Sequence, residues 1–151
     1  MAMRDLVHRL AAKQSLASTT VTNGNTATNG NGVVTTGYES VTGLLRISAR
    51  TDGTYTPKFQ LSADGTNWYD LDAVGYAGGA LPAAQNAVGD YLFGMIEPRS
   101  AAAITAGVDP LAALKNVRVV VTQATGTSGA TFQADVLLGH PRHADVQTSQ
   151  V

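Results

Sequence analysis

The residues able to do chemistry in this chain are few, and their spacing decides what each could do. Asp64, Asp70 and Asp72 lie close together and could offer carboxylate oxygens to calcium. Calcium takes six or more converging oxygens and the EF-hand spacing is absent, so structural aspartates at turns and strand edges are the better reading. His140 and His143 flank Pro141 and Arg142; a proline forbids a regular helix there, and no third ligand is near, which speaks against zinc. Ser40 and Ser48 lack a G-x-S-x-G turn, and the three histidines all lie near the chain ends. Gly75–Gly79 lacks the lysine and hydroxyl of a phosphate-binding loop. No catalytic, cofactor-binding or metal-ligating residue emerges, and no enzymatic activity is expected. Trp68 and Tyr69 raise a different chemistry, because aromatic faces beside polar turn residues can stack on sugars. Adjacent strand residues point to opposite faces. The expectation is a core position for Trp68 and a partly exposed one for Tyr69.

Composition narrows the classes further. Charged residues make up 14% of the 151, with ten Lys+Arg against eleven Asp+Glu and a net charge of −1. That leaves no basic surplus for a phosphate backbone, so no nucleic-acid partner is expected. A low-charge chain rich in Thr, Ala, Gly and Val suits a β protein held in an assembly. The absence of cysteine excludes disulfides and thiolate metal sites. No apolar run approaches the length of a membrane-spanning helix, and residues 1–10 lack the apolar centre of a signal peptide.

The elements that must position these side chains are strands. The stretch Thr56–Leu71 reads as a strand, a tight turn and the start of a second strand. Phe59 and Leu61 share its core-facing side, with Lys58, Gln60 and Ser62 on the other. Ala63–Asn67 supplies the turn, through Gly65 and the side chains of Asp64 and Asn67. Phe59, Leu61 and Trp68 are the expected core anchors. Tyr38–Arg50 alternates Val41, Gly43, Leu45, Ile47 and Ala49 against Thr42, Leu44, Arg46 and Ser48. Residues 72–89 read as a long loop, of the kind that makes contacts. A short strand follows at Tyr91–Ile96. Val117–Gln123 and Thr131–Leu138 read as a second hairpin about Gly126–Gly129, with Phe132, Ala134, Val136 and Leu138 on one face.

Other segments are less regular. Leu6, Val7, Leu10 and Ala11 give residues 4–13 a short amphipathic helical pattern, too short to stand alone in water. The Asn-Gly steps at 23–24 and 29–30 mark an exposed hairpin or long loop between short β-prone pieces. Asp109-Pro110 reads as a helix start, predicting one short helix near 110–115. Together these give an all-β chain: an antiparallel β-sandwich of jelly-roll or immunoglobulin-like type. Its divisions are an N-terminal helical or extended arm (1–17), the sandwich (18–138) and an extended C-terminal tail (139–151).

The strand at Tyr38–Arg50, T-P-K-F-Q-L-S-A-D-G-T-N-W-Y-D-L, V-R-V-V-V-T and the closing A-D-V-L-L-G-H-P-R resemble the head decoration (cement) proteins of tailed bacteriophages, over about residues 38–143. The Ala-rich stretch 101–114 and the Asn-Gly repeats depart from that pattern. The resemblance implies a virion structural protein with no cofactor. Such a protein would be assembled in the host cytoplasm, sit on the capsid surface, bind the mature head lattice and stabilise it against internal DNA pressure. The major capsid protein would be its partner, in a homo-oligomer, a trimer by expectation, with no nucleic acid or membrane. Leu6, Val7, Leu10, His140, Arg142 and His143 would then contact capsid or neighbouring subunits. The alternative is a tail or baseplate component with a carbohydrate-binding, adhesive role.

Overall fold

The computed structural model describes residues 10–22, 24, 26–95 and 115–141. These form strands β1 (Leu10–Val21), β2 (Ala27–Asn29), β3 (Val33–Val34), β4 (Tyr38–Arg50), β5 (Thr54–Ser62), β6 (Tyr69–Asp70), β7 (Gly89–Met95), β8 (Asn116–Ala124) and β9 (Ala130–Pro141). One 3₁₀ turn, Ala73–Gly75, lies between β6 and β7. The first sheet runs β1-β9-β4-β7; the second runs β2-β8-β5-β6, with β3 continuing the line of β2 along β8. All these pairings are antiparallel. Of the sequence neighbours, only β5 and β6 pair as a hairpin; β1–β2, β3–β4, β4–β5, β6–β7, β7–β8 and β8–β9 all change sheet. That alternation is the double Greek key of a jelly roll, and it decides against the immunoglobulin-like order.

Period-two alternation builds the core. Val41, Gly43, Leu45 and Ile47 of β4, Tyr55, Phe59 and Leu61 of β5, Val117, Val119 and Val121 of β8, and Phe132, Ala134, Val136 and Leu138 of β9 are all buried. The alternation of β4 fails at Ala49, which is exposed beyond a register shift against β9. Aromatic pairs bridge the layers. Tyr55 meets Phe132 with centroids 5.4 Å apart, and Phe59 meets Phe93 at 4.7 Å. Phe93 reaches that far inward because its ring lies over Gly43, where any Cβ would collide with it.

Two polar ties fix one sheet on the other. Asp52, in the β4–β5 crossing, accepts hydrogen bonds from the backbone N–H groups of Thr127, Ser128 and Gly129 and from the Thr127 hydroxyl, all in the β8–β9 crossing. Those bonds, the Thr127 hydroxyl foremost, hold its carboxyl well below the usual carboxylate range. Gly129 closes the same corner with φ +85°, so close to the Val21 carbonyl that no side chain would fit. On the opposite flank Ser15 of β1 is buried; its Oγ accepts from Val119 N–H (2.9 Å) and donates to the Asn31 carbonyl (2.8 Å).

The structure corrects several expectations. β8 and β9 are not a hairpin: they lie in different sheets, and the turn at 126–129 is a crossing. Turn chemistry marks where a chain reverses, but not which strand it will join. Residues 10–13 of the amphipathic pattern, and all of 10–17 of the supposed arm, are strand, paired to β9 from Leu10↔Gly139 to Leu16↔Ala134. Ten residues without a helical partner gain more from ladder bonds at a sheet edge. Residues 4–9 of that pattern and 110–114 of the expected short helix lie outside the described residues. Trp68 is not a core anchor but half-buried, while Tyr69 packs against the core. The register gives the reason: the turn sets Tyr69 opposite inward-facing Leu61, which sends Trp68 to the outer face.

Tyr76 is the core's most consequential phenol. It is buried, and its oxygen accepts the Phe59 backbone N–H at 2.7 Å. Burial pushes it up to about 12. A raised value means stability that is complete below about pH 10 and lost as pH climbs through about 12, an effect of roughly 2–3 kcal/mol. Tyr76→Phe leaves the Phe59 N–H unpaired and should cost about 1–3 kcal/mol at pH 8. Denaturant unfolding of both proteins from pH 8 to 12 should show that gap closing as pH rises. A constant gap would contradict the assignment.

Candidate functional site

The outward side of the second sheet carries a continuous polar row set by strand register. Gln60 on β5 stands opposite Arg118 on β8 and Asp70 on β6. Arg118 Nε and Nη2 donate to Gln60 Oε1 at 2.9 and 2.7 Å, and Gln60 Nε2 donates to Asp70 Oδ1 at 2.7 Å. Lys58, two residues along β5, donates to Asp70 Oδ2 at 2.9 Å. At the other end the Arg118 guanidinium lies over the Trp68 ring, 4.5 Å from its centroid. Burial raises the Asp70 carboxyl, but the Gln60 and Lys58 hydrogen bonds and the Lys58 and Arg118 charges outweigh it and hold it below its ordinary value. Burial pulls Arg118 downward against the opposing pull of Asp70.

Beside this row the sheet edge opens. Tyr55 exchanges backbone hydrogen bonds with Gln85 (2.8 Å each way), and the Phe59 carbonyl accepts Leu71 N–H (3.1 Å), on the same edge of β5. Pro57, midway between them, has no N–H to offer that edge. A groove of about 320 Å³ occupies the gap, lined by Thr56, Lys58, Asp70 and Asp72 and by Leu81 and Pro82 from the long loop. On the far side of Leu81–Pro82 a second groove of about 340 Å³ is lined by Tyr76, Ala80, Leu92 and Phe93 along β7. Leu81 and Leu92 are 60% and 69% exposed there.

The three aspartates do not converge. Asp64 closes its own turn, accepting from the backbone N–H of Asn67 and Thr66, from the Asn67 amide and from the Ser62 hydroxyl. Those bonds, the Asn67 N–H foremost, hold its carboxyl well below the usual range. Asp70 serves the row, and Asp72 lines the groove. Among the described residues no group of three His, Cys, Asp or Glu side chains could hold a metal ion. Ser40 and Ser48 lie on β4, with Ser48 Oγ donating to the Thr131 carbonyl at 3.2 Å. Leu6, Val7, Arg142 and His143 lie outside the described residues; for Leu10 and His140 the backbone is described, in β1 and β9. Phe59 and Leu61 are fully buried. Reading by residue type misses the Arg118–Gln60–Asp70 row. The outward positions of V-R-V and K-F-Q signal it, once the two strands are paired.

No family model matches the chain, and no curated protein matches it. Similar solved structures include the SPBc2 prophage-derived protein YomS, at 11% identity and TM-score 0.44, covering 85% of this chain and 92% of that one. A chain from infectious bursal disease virus, Gx strain, is similar at 8% identity and TM-score 0.43, over 86% of this chain but only 31% of the viral one. The N-terminal cellulose-binding domain of Cellulomonas fimi β-1,4-glucanase C is similar at 12% identity and TM-score 0.41, over 87% and 89%. The jelly-roll assignment itself rests on strand order and register.

The cation over Trp68 gives a spectroscopic test, because Trp68 is the chain's one tryptophan. Arg118→Ala should shift its emission to the red, with stability falling by about 1 kcal/mol, the scale of a partly exposed cation–π contact. Unchanged emission would mean that the guanidinium does not cover the indole in solution.

Proposed function

We propose that this chain is a structural, non-catalytic component of a tailed-phage virion: a decoration protein on the capsid surface that binds the major capsid protein of the mature head. The observation that carries this reading is the groove along β7, where Leu81 and Leu92 stand open to solvent beside Phe93. Single exposed leucines are ordinary, but two lining one concave edge favour a protein partner. The jelly roll supplies a stiff body behind them, tied between sheets at Asp52 and Ser15. The segments resembling decoration proteins supply the choice of partner.

The mechanism is mass action. A ligand that binds only the expanded, assembled shell stabilises that state over its competitors. Copies placed with lattice symmetry, as trimers at three-fold positions, let weak contacts act together. Assembly takes place in the host cytoplasm, and Leu6, Val7, Leu10, His140, Arg142 and His143 extend the contact from the chain ends.

Add-back to purified heads lacking this protein tests the reading. The full chain should saturate its lattice sites and raise the temperature at which heads release DNA. Leu81→Ser with Leu92→Ser should cut occupancy about tenfold or more while the isolated protein keeps its unfolding midpoint, since truncated central contacts typically cost 1–2 kcal/mol each. Removing residues 1–9 should also lower occupancy; a cut to residue 16 would instead destroy β1 and so is uninformative. Full occupancy by the leucine variant and by the truncated chain would refute the proposal.

A further inference from the structure

The geometry points to a second binding site, for a neutral saccharide, in the groove beside Pro57 on the second sheet. It does not depend on the decoration reading, because it concerns the isolated chain. The groove is lined by Thr56, Lys58, Asp70 and Asp72 together with Leu81 and Pro82, and most of its exposed surface is apolar with a few polar groups among it. A sugar hydroxyl both donates and accepts, so it can bridge an ammonium and a carboxylate held 2.9 Å apart. The C–H face of a sugar ring is apolar and fits the Leu81–Pro82 wall, where Leu81 is largely exposed. A volume of about 320 Å³ lies at the small end of ligand pockets, suited to a short saccharide.

Charge decides against small ionic ligands. Lys58 and neighbouring Arg118 balance Asp70 and Asp72, so neither an anion nor a cation meets a net opposite field. The polar groups are also held in place before a ligand arrives. Asp70 is gripped from two sides by Lys58 and Gln60, Gln60 by Nε and Nη2 of Arg118, and Arg118 by the face of Trp68. Side chains fixed in this way lose little further entropy on binding. Trp68 is therefore a positioning residue at the end of the row.

The test is an NMR titration of the isolated full chain with cellohexaose, maltohexaose and the chitin hexasaccharide, beside an anionic heparin-derived hexasaccharide. At least one neutral sugar should give saturable shifts centred on Lys58, Asp70 and Leu81. Lys58→Ala and Asp70→Asn should each weaken that binding about tenfold, as loss of a hydrogen bond to a charged group does. Both residues are partly exposed, so their unfolding midpoints should hold; should Asp70→Asn fail to fold, Lys58→Ala decides alone. Trp68→Phe should weaken binding less than either. No saturable shift from any neutral sugar at about 10 mM, tighter binding of the anionic one, or unchanged binding by Lys58→Ala would overturn the assignment.

Discussion

The arrangement rests on one carboxylate. In a jelly roll the chain passes between sheets again and again, and each crossing takes backbone polar groups out of a ladder. Asp52 sits in one crossing and satisfies three consecutive N–H groups of another, Thr127, Ser128 and Gly129. The β4–β5 and β8–β9 corners are thereby a single unit, and the strands leaving them, two in each sheet, start from a common point. The inter-sheet contacts Tyr55–Phe132 and Phe59–Phe93 then lie between layers tied at that corner. Ser15 does the same at the far flank, joining β1 to β8 through one buried hydroxyl.

Both candidate surfaces follow from how the sheets end. Pro57 cannot donate on the free edge of β5, so that edge pairs above and below it and leaves a gap between. The long loop after β6 runs past this gap, and Leu81–Pro82 forms a wall shared by two grooves. One groove has Thr56, Lys58 and Asp70 on its sheet side, at outward positions of β5 and β6. The other is lined along β7 by Leu92, which faces outward, and Phe93, which faces inward.

Much of this fold was legible in the residues. The alternation of β4, β5, β8 and β9 marks the strands and most of the core, since burying one face of a strand demands period two. Sheet membership was not legible: Gly126–Gly129 looks like a hairpin turn, and only the distant Asp52 makes it a corner. The size of the indole points Trp68 inward, but the turn length fixes which residue lies opposite Leu61, and that residue is Tyr69. The Arg118–Gln60–Asp70 row joins residues up to 58 apart in sequence, so it exists only once register is known. Length alone marks the loop at 72–89 as contact-making, while the groove it borders exists only where Pro57 and the Gln85 pairing meet.

A cryo-electron microscopy map of virions carrying this protein tests the central claim most directly. The account predicts jelly-roll density repeated over the outer surface of the DNA-filled head, with the Leu81–Leu92 groove against the shell. Density confined to the tail tip, or copies that meet the shell only through the Lys58–Asp70 side of the second sheet, would contradict it.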